Sequence, residues 1–412
     1  MPAPPSCALP GRVGSARRLP GVTEPGPDAP ATARLRRWLR PAVLAMEPYA
    51  AAAPLSAAAS EPAAKLDAME LPYALPAALR ARCLRQLRAQ PLHRYPDADA
   101  GALRRALRAA LDIPDSLALL PGNGSDELIL YLTLALAGRG RKVLAPEPTF
   151  VMYRRVAAMA GMEYVGVPLR PGDFALDPEA MRAAIVRHRP AIVWLAWPNN
   201  PTGTLFDEEA VRRIVRAAPG IVVADEAYFP YSRRTMLGAI SEYQHLLVLR
   251  TLSKMGLAAL RIGVLIGAPH WLEQLEKLRL PYNVGALNQA CAAHLLGANG
   301  ADFSADFGPL LERNRAARQR LYRALRRLDG VEVWPSHANF LLLRLAAAPA
   351  DAVHRALRRR GVLVKNLHGS HPSLRQCLRV SVGAAAENRL FLQSLREALR
   401  AHGGGASPRT RK

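Results

Sequence analysis

The chain has 412 residues, half of them hydrophobic and 22% charged, with a formal net charge of +23. Such a length exceeds one small core and implies two or three domains, and the absence of any apolar run of about 18 residues excludes a membrane-spanning helix. The basic excess is mostly Arg along Ala- and Arg-rich helical stretches such as Arg315 to Arg327. It comes without aromatic interleaving or a zinc-finger or helix-turn-helix pattern, so no nucleic-acid partner is expected.

In chain order, residues 1–33 are rich in Pro, Ala, Gly and Arg and show no period; they read as a disordered tail, with an Arg-rich transit peptide as the alternative. Residues 34–75 read as an N-terminal arm, 76–300 as a large domain, 301–402 as a smaller one and 403–412 as a frayed basic tail. In the large domain, β-like runs at Lys142–Ala145, Glu163–Pro168, Ala191–Leu195, Gly220–Ala224, Leu246–Arg250 and Arg261–Ile266 alternate with helical patterns at 101–112, 126–137, 177–187, 207–217 and 270–279. The alternation predicts an α/β fold with a mostly parallel sheet between helices. From about 305 the pattern becomes α+β: a helix at 309–328, strands at Val331–Trp334, Asn339–Arg344, Val362–Lys365 and Cys377–Val382, and helices at 351–360 and 386–401. Cys7, Cys83, Cys291 and Cys377 are scattered, without a CxxC pair. This argues against a zinc site or a disulfide framework and predicts a reducing, cytoplasmic setting.

Four motifs carry the chemistry. Gly122-Asn123-Gly124-Ser125-Asp126-Glu127 precedes an apolar helix, whose first N–H groups favour an anion; taken alone, a plain Ser/Asp helix cap accounts for it better. Pro198-Asn199-Asn200-Pro201-Thr202-Gly203 follows a buried strand, either as a simple turn or as a ligand-binding strand end. Val222-Val223-Ala224-Asp225-Glu226-Ala227-Tyr228 puts two acids at another strand end, where a carboxylate can pair with a cationic ring nitrogen. Arg250-Thr251-Leu252-Ser253-Lys254, with Arg261 seven residues on, groups hydroxyls, an amine and a guanidinium suited to a phosphate and a Schiff base.

The order of these motifs, with Arg94-Tyr95-Pro96-Asp97, Pro148-Thr149-Phe150 and Cys377-Leu378-Arg379-Val380-Ser381-Val382-Gly383, resembles the histidinol-phosphate aminotransferase family of fold-type-I pyridoxal-5'-phosphate (PLP) enzymes over about residues 38 to 400. The resemblance implies that Lys254 holds PLP as a Schiff base and later shuttles the substrate proton. It implies that Asp225 pairs with the pyridine nitrogen, that Tyr228 and Asn200 bond the ring's 3-oxygen, and that Phe150 stacks on the ring. It assigns the cofactor phosphate to the backbone amides of Ser125 and Asp126, the hydroxyls of Thr251 and Ser253, and Arg261. Tyr95 is expected to reach the partner's cofactor across a homodimer with shared active sites. Tyr49, Lys365 and Arg379 are expected to bind substrate, and no metal is expected.

The implied reaction exchanges an amino group between L-glutamate and imidazole acetol phosphate, giving L-histidinol phosphate and 2-oxoglutarate. An aromatic or broad-specificity aminotransferase and a phosphothreonine decarboxylase are the alternatives. The chain departs from the family at Leu71 (usually Asn or an aromatic), at Ala259 (usually Gly) and at Lys365 (often Arg), which bears on substrate preference more than on catalysis.

Overall fold

The structure, a computed structural model, describes residues 36–48, 63–297 and 301–402. The chain up to Tyr49 is a unit by itself, in which Pro41–Leu44 form a single helical turn. From Ala50 onward the chain is a second unit carrying two sheets. The two expected tails and Tyr49 lie outside the described residues.

The larger sheet has seven strands: β2 (Ala118–Asn123), β3 (Lys142–Glu147), β4 (Glu163–Pro168), β5 (Ile192–Ala196), β6 (Ile221–Asp225), β7 (Leu246–Thr251) and β8 (Ile262–Gly267), in the spatial order β2-β8-β7-β6-β5-β3-β4. Six run in one direction; β8 alone is antiparallel to both neighbours. β5 to β8 are buried at every residue, which is why they read as continuous apolar runs and not as alternations. The period of two is still present, divided between two cores. Val193, Leu195, Val222 and Ala224 belong to one hydrophobic cluster, and Ile192, Trp194, Ile221 and Val223 to another, as expected of a sheet with helices on both faces. The flanking helices begin where local chemistry allows. Asp177 caps Pro178–His188 by accepting from the amides of Glu179 and Ala180, with Pro178 supplying a preset φ, and Asp207 caps Glu208–Ala217.

The second sheet comprises β1 (Ala64–Leu66), β9 (Val331–Val333), β10 (Phe340–Leu345), β11 (Val362–Asn366) and β12 (Cys377–Ser381), in the order β1-β11-β12-β10-β9. Its helices Ala350–Arg359 and Ala385–His402 bury Val353, Leu357, Phe391 and Leu395 in a core of their own. β1, from the stretch read as an arm, pairs in parallel with β11, so the N-terminal segment closes one edge of the C-terminal sheet.

Three features differ from the sequence reading. β2 was not anticipated, because its Pro121-Gly122-Asn123 end carries turn signals. The helix expected at 309–328 spans Ala301–Leu325 and passes through Pro309. The expectation of no disulfide is corrected as well: Cys83 and Cys291, 208 residues apart, are bonded, with Cα atoms 5.7 Å apart. They join the helices Ala77–Arg88 and Ala286–Leu296. Spacing could not reveal the pair, because the helices meet only through tertiary packing. Cys377 is a buried free thiol. Among the described residues no helix is long and apolar enough to cross a membrane.

Candidate active site

Because β2 and β3 to β7 run the same way, their C-terminal ends share one edge of the sheet, where α/β folds bind ligands. Asp225 ends β6, Thr251 ends β7, and Asn200 follows β5 by four residues. The reversal of β8 brings its start, just after Arg261, to the same edge, with Ile262 opposite Asn123. A cavity of about 420 Å³ opens there. Ser125, Asp126, Thr251, Ser253 and Arg261 line one part of it, and Phe150, Asn200, Asp225, Tyr228 and Lys254 line the rest.

The first group forms an anion cradle. The helix Ser125–Ala135 starts after Gly124 with no side-chain cap on its first amides, so neither Ser125 nor Asp126 acts as the plain cap that the sequence also allowed. Glu127 turns back to accept from the Asn123 amide at 2.6 Å. Uncapped N-terminal amides are an anion-binding arrangement. Arg261, in the left-handed region at φ 51°, sends Nη1 to Ser253 Oγ (3.4 Å) and Nη2 to Asp126 Oδ2 (3.2 Å). Thr251 Oγ1 lies 3.0 Å from Ser253 Oγ. Two glycines let the backbone approach this closely. A Cβ on Gly124 would stand 2.5 Å from Arg261 Nη2, and one on Gly263 would stand 2.5 Å from the Ser125 amide nitrogen.

Asp225 sits in the second group, almost wholly buried. Burial raises its carboxyl from 3.8 to about 6, against the pull of hydrogen bonds from Tyr153 Oη (2.6 Å) and the Ala227 amide (3.1 Å). Tyr153 is itself buried and stacks on Trp194, with ring centroids 4.8 Å apart. Neither was anticipated from the sequence. The available signal was position: Tyr153 lies three residues after Phe150 at a helix start, a spacing that places two aromatics on one face.

Lys254 stands in the 3₁₀ turn Leu252–Met255, its backbone carbonyl held by Tyr231 Oη at 2.9 Å. Burial, and then the charge of Arg379, lowers its amine from 10.5 to about 8. Nζ donates to the Ala68 carbonyl at 3.3 Å. A cavity holding an amine that titrates near neutrality, an acid of raised pKa and an anion cradle can bind a phosphorylated carbonyl compound and transfer protons beside it.

Of the expected substrate residues, Arg379 is buried behind Asn200, donating from Nη1 to Asn200 Oδ1 (2.5 Å) and from Nη2 to the Asp67 carbonyl (3.2 Å). Lys365 lies directly opposite Arg379 in the β11–β12 ladder, so both side chains leave the same face; it is not part of the cavity wall. Tyr95 is 80% exposed, outside this cavity, and stacks on Tyr282 with centroids 4.5 Å apart. Ala259 is an exposed residue of the cavity wall. Asn339, just before β10, donates from Nδ2 to the Met69 carbonyl at 2.9 Å.

The family model for class I and II aminotransferases matches residues 61–395. The chain is 46% identical over 366 residues to histidinol-phosphate aminotransferase 2 of Nitrosococcus oceani, covering 88% of this chain and 98% of that protein. It is 44% identical to histidinol-phosphate aminotransferase of Chromobacterium violaceum, with the same coverage. Its structure is similar to that of histidinol-phosphate aminotransferase from Sinorhizobium meliloti in complex with pyridoxal-5'-phosphate, with a TM-score of 0.73 and 26% identity over 83% of this chain and 92% of the other.

Proposed function

We propose, from the premise that this chain belongs to the class I and II aminotransferase family, that it is a PLP-dependent transaminase. In this reading it exchanges the amino group between L-glutamate and imidazole acetol phosphate, giving L-histidinol phosphate and 2-oxoglutarate. The observation that carries the reaction class is the placement of Lys254 and Asp225 in one cavity with an uncapped helix N-terminus. The substrate pair rests on the extent of similarity to the named relatives.

The residues present fit PLP. Its phosphate suits the cradle of Ser125 and Asp126 amides, Thr251, Ser253 and Arg261, where two glycines keep the approach open. When bound, the coenzyme supplies an electron sink for the charge left when the substrate's C–H bond ionises. The chain supplies the rest. Lys254 Nζ holds the coenzyme and moves the substrate proton, for which an amine titrating near 8 is suited. Asp225 would pair with the ring nitrogen and keep it protonated. Asn200, whose Oδ1 is taken by Arg379, would have its amide N–H left to hold the ring oxygen together with Tyr228. Phe150 would pack on the ring, and Arg379 with Lys365, on one face of the second sheet, would draw anionic substrate groups to the cavity.

Tyr95 supports a homodimer with shared sites. It is exposed and stacks on Tyr282, and Leu92 and Leu280, close to these two in sequence, are exposed as well, apolar surface suited to a second copy.

The test is a donor panel of L-histidinol phosphate, phenylalanine, tyrosine and phosphothreonine. Histidinol phosphate is expected to give the highest kcat/KM; preference for an unphosphorylated donor overturns the substrate assignment.

A further inference from the structure

Resting on that reading of the site, we propose that Glu70 reads the imidazole ring of the phosphorylated substrate and so sets the enzyme's preference between its two amino donors.

Residues 67–70 follow β1, and their backbone is tied to the rest of the site by four side chains. Arg379 donates to the Asp67 carbonyl (3.2 Å), Lys254 to the Ala68 carbonyl (3.3 Å) and Asn339 to the Met69 carbonyl (2.9 Å), while Ser381 Oγ accepts from the Met69 amide (2.8 Å). Met69 adopts φ 53°, a left-handed conformation that is unfavourable for a residue bearing a side chain. These bonds hold it there, and the turn delivers Glu70 to the cavity wall that also carries Lys254. Lys65 Nζ anchors the carboxylate through Oε2 at 2.6 Å from the solvent side. The negative charge of Glu70 is felt at the Lys254 amine, opposing the fall in its pKa.

Three carboxylates line the cavity: Glu70, Asp126 and Asp225. Asp225 is bonded to Tyr153, and Asp126 is paired with Arg261 in the anion cradle. Glu70 is therefore the carboxylate of the wall that the coenzyme site does not use. The two donors differ most at their far ends. One carries an imidazole, an N–H donor that is partly cationic near neutrality; the other carries a second carboxylate. A carboxylate receives the first through a charge-assisted hydrogen bond and repels the second. The Lys65 anchor softens that repulsion, which lets glutamate remain a donor.

The experiment compares wild-type, Glu70→Gln and Glu70→Asp holoenzymes. It measures kcat/KM for L-histidinol phosphate and for L-glutamate, and the inhibition constant of 2-aminopropyl phosphate, which is the same amino-alcohol phosphate without the ring. For Glu70→Gln, the histidinol phosphate-to-glutamate ratio of kcat/KM is expected to fall about tenfold or more, mainly through KM for the ring-bearing donor. Glutamate is expected to gain relative to histidinol phosphate, and 2-aminopropyl phosphate to bind as in wild type. Glu70→Asp restores part of the ratio. A loss shared equally by both donors and the ringless phosphate marks a structural role and overturns the proposal, as does a ratio held within twofold. A wild-type enzyme that ignores histidinol phosphate sinks the functional reading itself. A wild-type preference for it that is undiminished in Glu70→Gln sinks only the role of Glu70.

Discussion

Tyr153 donates its phenolic hydrogen to Asp225 across 2.6 Å, joining two residues 72 positions apart. The bond works against burial, which disfavours the ionised acid, and it fixes the carboxylate that a cationic ring nitrogen would meet. Replacing Tyr153 with Phe leaves the stack on Trp194 in place and removes only this donor. PLP affinity of the apoprotein is expected to weaken about tenfold, the value of one charge-assisted hydrogen bond. Fluorescence titration reads it directly; an unchanged dissociation constant would mean that the Ala227 amide alone holds Asp225.

Asp225 also makes stability depend on pH. A carboxyl whose native pKa of about 6 exceeds its ordinary 3.8 binds more protons folded than unfolded between those values. Ionisation therefore costs the apoprotein stability as pH rises through that window, to a limit of about 3 kcal/mol. Asp225→Asn is expected to be the more stable apoprotein at pH 7, with little difference at pH 4, while losing transaminase activity. Denaturant unfolding at the two pH values decides it. A variant less stable than wild type at pH 7 would show that ionised Asp225 is a net stabiliser.

Lys254 is expected to react as an amine titrating near 8 and not 10.5. The rate at which apoprotein takes up PLP should rise with pH to a midpoint near that value, followed by absorbance in a stopped-flow instrument. Lys254→Ala should neither retain PLP after borohydride reduction nor turn over; wild-type-like transamination by that variant refutes the assignment.

Gly124→Ala tests the cradle. The added methyl would fall 2.5 Å from Arg261 Nη2, at a residue whose φ is 81°. Both effects displace Arg261 or the helix start, so PLP is expected to bind at least about tenfold more weakly. Inorganic phosphate should lose its ability to compete with PLP in the same titration. Retention of both affinities would mean that Arg261 does not hold the phosphate.

Arg250 and Glu226 form a fully buried pair behind the site, Nε to Oε2 at 3.0 Å. Arg250 also bonds the Leu111 carbonyl and lies over the Phe229 ring. Arg250→Met strands Glu226 without its counter-charge and is expected to lower unfolding free energy by about 3–5 kcal/mol. Calorimetry that finds a loss under about 1 kcal/mol would show that Thr235 and the Met236 amide satisfy Glu226 unaided.

Much of this was legible in the primary structure because the information is local. Continuous apolar runs such as Ile221–Ala224 identify strands buried on both faces, and the polar residues that follow each run identify the ligand-binding edge. Hence the order of the motifs, through the family it resembles, pointed to Lys254, Asp225, Asn200 and Arg261, and they do line one cavity. Where local signals conflict, the reading fails: Pro121 and Gly122 spoke for a turn, yet six ladder partners on β8 hold the segment as β2.

By itself, then, the order of residues determined the class of fold and the strand ends at which Lys254 and Asp225 stand. Only the tertiary structure decided what stands behind them: Tyr153 beneath Asp225, Arg379 against Asn200 from 179 residues away, β1 on the edge of the C-terminal sheet, and the Cys83–Cys291 bond. The reason is physical. A period or a turn is fixed by neighbours a few residues apart, whereas these partners are chosen by how separate elements pack, and no short stretch of chain records that choice.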